Sequence, residues 1–186
     1  MNYIYKIMLA LLSIGSINHL AFGYEYTFSN HIPEKPLETR IKLLGVQEPW
    51  YTKIIAPDTT ETFLWETRTK KDPLGYGEWR KAGLCLQSIQ YRLPGSAAWR
   101  EADVIFVDSN AYKRIVAAAE GLGEGTAGVA QFAAAVSGIP TQKVSGGSLA
   151  RGITELIGTS TCRDRHFDIL PDKDNPQQIA FYSLTK

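Results

Sequence analysis

From residue 24 to residue 107, apolar and polar residues alternate in short runs broken by turn formers, the two-residue period of half-buried strands. Tyr24, Tyr26 and Phe28 alternate with Glu25, Thr27 and Ser29, and Thr39, Ile41 and Leu43 alternate with Arg40 and Lys42. Each run predicts one strand. Residues 50–55 and 60–67 flank Pro57-Asp58, a pair that presets a turn, and so predict a hairpin. Residues 84–91 and 99–107 make a further pair across Pro94-Gly95, after a loop at 70–78 that carries Pro73, Gly75 and Gly77.

Near Ser109 the period changes. Tyr112, Ile115, Val116, Ala119 and Leu122 share one helical face, as do Val129, Phe132 and Val136, and Leu149, Ile153, Leu156 and Ile157. Three short helices are predicted within 109–160. Asp108, Ser109 or Asn110 can cap the first, Gly138 and Pro140 end the second, and Ser145 or Ser148 can cap the third. After Cys162 the strand period returns: Arg165, Phe167 and Ile169 alternate with His166 and Asp168, and a turn at 171–176 leads into 178–184. The pattern predicts a β-rich α+β domain, an antiparallel β-sandwich of about eight strands with a three-helix Ala/Gly-rich insertion before the C-terminal hairpin. The second reading takes 104–107 and the helix after it as the start of an α/β unit. Only one such unit is visible.

The first 23 residues stand apart. Lys6 precedes an apolar run from Ile7 to Ile17, and Ala21-Phe22-Gly23 offers small residues where a signal peptidase reads. That run is about 11 residues, against the roughly 20 of a spanning helix. A cleaved signal (1–23), an exported single domain (24–186) and a secreted, periplasmic or cell-surface location are expected. Without Lys6 the chain has 19 basic and 19 acidic side chains, which argues against a nucleic-acid or polyanion partner. Export suits a disulfide between the only two cysteines, Cys85 and Cys162, worth about 4.5 kcal/mol by chain entropy.

Candidate chemistry is sparse. Asp164, His166 and Asp168 fall on one face of a strand and could ligate a metal or form an acid/base pair, but only His31 and His166 remain after signal removal, and a solvated strand face has the same pattern. Gly146-Gly147-Ser148-Leu149-Ala150 lacks the last glycine of a nucleophile elbow, so Ser148 with His166 and Asp168 is a weak triad. Gly123-x-Gly125-x-x-Gly128 has the dinucleotide letters but follows a helix rather than a strand. The acids of Asp172-Lys173-Asp174-Asn175 fit a hairpin turn better than a calcium loop. No cofactor, metal or hydrolytic, redox or nucleotide-dependent catalysis is therefore expected.

Aromatic residues carry the stronger signal. Tyr76 and Trp79 lie in the glycine-punctuated loop and Trp50 at a strand edge, where rings can meet a glycan or protein, whereas Trp50, Trp65 and Trp99 also suit a sandwich core. Between Ile115 and Ala150 the only charges are Glu120, Glu124 and Lys143, so insertion of the helical block into a membrane is the rival to its packing on the sheet. The sequence thus predicts a non-catalytic binding or envelope/surface module. Its alternatives are a membrane-active protein and, third, a hydrolase using His166 and Asp168.

Overall fold

The computed structural model describes residues 24–43, 50–63, 85–120, 122, 125–149 and 163–185. Ten strands form among them: β1 (Tyr26–Asn30), β2 (Leu37–Leu43), β3 (Tyr51–Ile55), β4 (Thr59–Phe63), β5 (Leu86–Arg92), β6 (Arg100–Glu101), β7 (Asp103–Val107), β8 (Gln142–Ser145), β9 (Arg165–Pro171) and β10 (Ile179–Leu184). Helices α1 (Ser109–Glu120) and α2 (Gly125–Val136) lie between β7 and β8, and a 3-10 turn (Gly146–Ser148) follows β8.

The strands build two separate sheets, a six-stranded one in the order β4-β1-β9-β10-β7-β8 and a four-stranded one in the order β3-β2-β5-β6. This corrects the expected eight-stranded antiparallel sandwich. The larger sheet is mixed, because β1 runs parallel to β9 and β10 parallel to β7. The turn at Pro57-Asp58 does not close a hairpin: β3 pairs with β2 and β4 with β1, so the turn passes the chain from one sheet to the other. The expected single strand at 99–107 likewise divides at Ala102 into β6 of the smaller sheet and β7 of the larger. Alternation alone could not reveal either change, since both halves keep the same period.

The three-helix insertion is also corrected. Two α-helices form among the described residues, and Gln142–Ser145 is an edge strand antiparallel to β7. Val144 is the one buried side chain of β8, too little apolar signal for a strand to be read from sequence. Residues 150–162, where the third helix was expected, lie outside the described residues. The helical entry point is as expected, for Asp108 Oδ1 caps α1 by accepting from the amides of Asn110 and Ala111 at 2.9 and 2.8 Å.

Burial follows from the layers. In β2, Leu37, Thr39, Ile41 and Leu43 are buried while Glu38, Arg40 and Lys42 are half-buried on the outer face, so the period of two survives. Strand β7 is buried from Val104 to Val107, because the larger sheet is covered on both faces. One cluster lies between the sheets: Phe28 stacks on Phe167 at 5.0 Å and meets Phe63 and Phe181 edge-on at 5.3 and 6.1 Å. A second cluster fixes Ile115, Ala119, Phe132 and Val136 of the helices against Ile105, Val107, Leu170 and Tyr182 of the sheet. The Ala-rich composition of α1 and α2 serves this close approach.

Candidate functional site

The helical layer ends over β9, and the character of the sheet changes there. On the helix-facing side of β1 and β4, Thr27 pairs across the strands with Thr62, and Ser29 with Thr60, with the second pair's hydroxyls 2.6 Å apart. The alternation of β9 places His166 and Asp168 on this same face, since Phe167 and Ile169 are committed to the cluster between the sheets. Asp168 stands opposite Ser29 in the register. A polar stripe therefore runs from the open threonine pairs to the margin of α1.

Asp168 is the centre of this stripe. Its side chain is only 5% exposed, and Oδ1 lies 2.8 Å from His31 Nε2 and 3.2 Å from His166 Nε2. The Tyr112 hydroxyl, carried by α1, donates to Oδ2. Burial pushes the Asp168 carboxyl up, but the bonds from His166, His31 and Tyr112 outweigh it and hold the group well below the usual carboxylate range. For Tyr112 the shift is upward, from burial first and from the Asp168 bond and charge next.

An ionised carboxylate only accepts, so each contacting Nε2 carries a hydrogen. Two consequences follow for His166. Its Nε2–H is shared between Asp168 Oδ1 and Ser29 Oγ, the latter at 3.3 Å, so Ser29 is an acceptor here and has no base to take its proton. In the neutral ring the lone pair therefore sits on Nδ1, which has no hydrogen-bond partner among the described residues. The His166 side chain is 42% exposed and, with Tyr112, Arg163, Asp164 and Ser183, lines an open cleft of about 220 Å³ between α1 and the ends of β9 and β10.

No family model, curated protein or solved structure matches this chain. The site has to be interpreted from its own geometry.

The other expected candidates are dispersed. Asp164 does not continue the row of His166 and Asp168, because it precedes β9 and its Oδ1 accepts from the Glu25 amide at 2.7 Å. Among the described residues no group of three or more His, Cys, Asp or Glu side chains is arranged to hold a metal. Ser148 lies in the 3-10 turn packed on β5 of the smaller sheet, away from the helix-facing side of β9 that carries His166 and Asp168. Gly125 and Gly128 lie in the first turn of α2, in a helix-to-helix connection. Asp172 is a turn residue: Oδ1 accepts from the Asp174 amide at 2.9 Å, and Oδ2 pairs with Lys143 at 2.5 Å.

Tyr76, Trp79 and Trp65 lie outside the described residues, as do residues 1–23, and nothing in the structure or the comparisons is evidence of a signal peptide or of secretion. Cys162 lies outside them too. Cys85 is buried and is not a free thiol, and with Cys162 outside the described residues the expected Cys85–Cys162 disulfide lies outside them as well.

Trp50 and Trp99 depart from the expected core. Both are half-buried on the outer face of the four-stranded sheet, where the Arg40 guanidinium stacks 4.4 Å from the Trp50 ring centre and 4.0 Å from that of Trp99. Arg92 stacks on Trp99 at 4.4 Å and holds Glu38 through two bonds of 2.6 and 3.0 Å. Arg40 also donates from Nε to Gln90 Oε1 at 2.8 Å, and Gln90 passes a bond of 2.6 Å to Glu101. Nearby on β3, Ile54 is 63% exposed.

Proposed function

We propose that this protein is an exported binding module that holds a protein partner of the cell envelope or surface against the outer face of its four-stranded sheet. The observation that carries this reading is the stack of Trp50, Arg40 and Trp99, continued by Arg92, with exposed Ile54 beside it. Tryptophan and arginine are the residue types over-represented where protein interfaces concentrate their binding energy. Cross-bonding to Gln90 and Glu38 immobilises the long side chains beforehand, which reduces the ordering cost of association. A protein suits this face better than a glycan. Sugar stacking needs a free ring face, and two guanidinium groups already stack on Trp99.

Export rests on the sequence of residues 1–23. The membrane-active alternative is the weaker one, because the apolar faces of α1 and α2 are consumed by the second cluster. Among the described residues no helix is long and apolar enough to cross a membrane, which leaves strand-built spans unaddressed.

The test is crosslinking of purified protein to envelope proteins, compared among the native chain, Trp50→Ala, Ile54→Glu and a His166→Ala control. A specific adduct lost in the first two variants and kept in the control supports the reading. An adduct equally strong in Ile54→Glu, or binding only to glycans or liposomes, overturns it.

A further inference from the structure

We propose that His166 is a general base acting on water in the cleft beside α1, that Asp168 is its positioning residue, and that the substrate is a small carboxylic ester without a positive charge. This site is separate from the sheet face and stands on its own geometry.

Three observations combine. The buried Asp168 carboxylate receives the Nε2–H of His166 and is itself fixed by Tyr112 and His31, so the neutral imidazole is held in the tautomer whose lone pair is on Nδ1. The side chain is 42% exposed and lines the cleft. The Ser29 hydroxyl takes its place on the Nε2 side, which excludes it as a nucleophile, and Ser183, the other serine at the cleft, is only 2% exposed, which leaves water as the group to be activated. A carboxylate that orients an imidazole while the opposite nitrogen meets the reactant is the arrangement general-base catalysis requires.

The cleft also delimits the substrate. At about 220 Å³ it takes a molecule of short acyl chain. Its bordering charges are Arg163, Arg165 and Asp164, an excess of one positive charge, so a cationic substrate is disfavoured. General-base assistance by itself supplies about 10²–10⁴-fold, sufficient for an ester with a good leaving group and far short of what an amide needs.

In the reaction, Nδ1 of His166 takes a proton from water as the water oxygen bonds to the ester carbonyl carbon. The tetrahedral intermediate then collapses, breaking the bond between that carbon and the alcohol oxygen. The proton held by the imidazole passes to the departing alkoxide. Carboxylic acid and alcohol leave, and His166 is neutral again.

The experiment follows hydrolysis of 4-nitrophenyl acetate by the full chain. The titratable and charged groups around His166 are Arg163, Asp164, Arg165 and Asp168 from its own segment, Tyr112 from α1, and His31 from the end of β1. The expected result is steady release of 4-nitrophenolate without a burst. His166→Ala and His166→Gln, each checked for native circular dichroism, should both lose about 100-fold. Asp168→Asn should lower kcat with little change in KM while native circular dichroism is kept, which a purely structural role would not do. Leu93→Ala, at an exposed position of neither site, should leave hydrolysis unchanged; hydrolysis and partner crosslinking are read separately, so this proposal and the sheet-face reading fail separately. Hydrolysis no faster than buffer, equal rates with and without His166, or a burst stoichiometric with protein overturns the proposal.

Discussion

Tyr112 on α1 gives its hydroxyl to Asp168 on β9, 56 residues further along the chain, so one hydrogen bond joins the helical layer to the strand at its margin. His31 and His166 hold the other carboxylate oxygen, and the end of β1 is thereby attached to the same side chain. Replacing Asp168 by Ala deprives three donors of their acceptor inside a nearly closed site. Asp168→Ala should cost about 3 kcal/mol in urea unfolding, and Tyr112→Phe about 1 kcal/mol. If Tyr112→Phe costs as much as Asp168→Ala, the carboxylate is not the hub of the cluster.

The same carboxylate governs acid stability. Although burial opposes ionisation, the bonds from His166, His31 and Tyr112 place the folded-state pKa below the unfolded value of about 3.9. A depressed carboxylate contributes stability that is present above the unfolded pKa and is lost as pH falls toward the folded one. Native protein should therefore lose stability steeply below about pH 4. Asp168→Asn should be less stable at pH 7 and have a flatter acid limb, measured as unfolding free energy against pH.

On the outer sheet face, Arg40 lies between Trp50 and Trp99 and bonds Gln90 as well. Lysine keeps the charge but has neither a planar group to stack nor a fork to reach Gln90. Arg40→Lys should cost about 1–2 kcal/mol and change the near-ultraviolet circular dichroism of the tryptophans. An unaltered spectrum would mean that the rings are not ordered by the guanidinium.

The elements were legible wherever one face meets water. Leu37 to Leu43 alternates because its outer face is solvated, and Asp108 announces α1 by its capping side chain. What alternation cannot encode is which strands are neighbours. The parallel pairing of β1 with β9 joins residues whose separation is 139 positions between Glu25 and Asp164, and no local signal predicts it. That pairing also brings His31 and Ser29 to His166 and Asp168. His166 and Asp168 were named from their own strand, while His31 and Ser29, and Tyr112 from α1, carried no pattern to identify them as site residues. Trp99 suited a core on residue type alone and Trp50 either a core or a binding edge, and Arg40 and Arg92 on the neighbouring strands β2 and β5 give both rings their place on the outer face.

Gly146, read from sequence as one letter of an incomplete nucleophile elbow, has a packing role that can be tested directly. It enters the 3-10 turn after β8, and its amide donates to the Ala102 carbonyl at 2.5 Å, where β6 gives way to β7. A Cβ added there would lie 2.6 Å from the Ile89 carbonyl oxygen and 2.7 Å from that of Ala102. Both are backbone atoms, and Ala102 itself donates to Ile89 at 3.1 Å, so neither can yield without disturbing the junction between the sheets. Gly146→Ala should cost about 2–3 kcal/mol, in the range of overpacking in a close-packed interior. Gly147 provides the control. Its added Cβ would meet Glu101 Oε2 at 2.6 Å, but that atom ends a flexible side chain that can move away. Gly147→Ala should therefore cost under about 1 kcal/mol. Denaturant unfolding of the two variants decides the matter: equal, small losses would mean that the turn does not press on the sheet junction as the geometry requires.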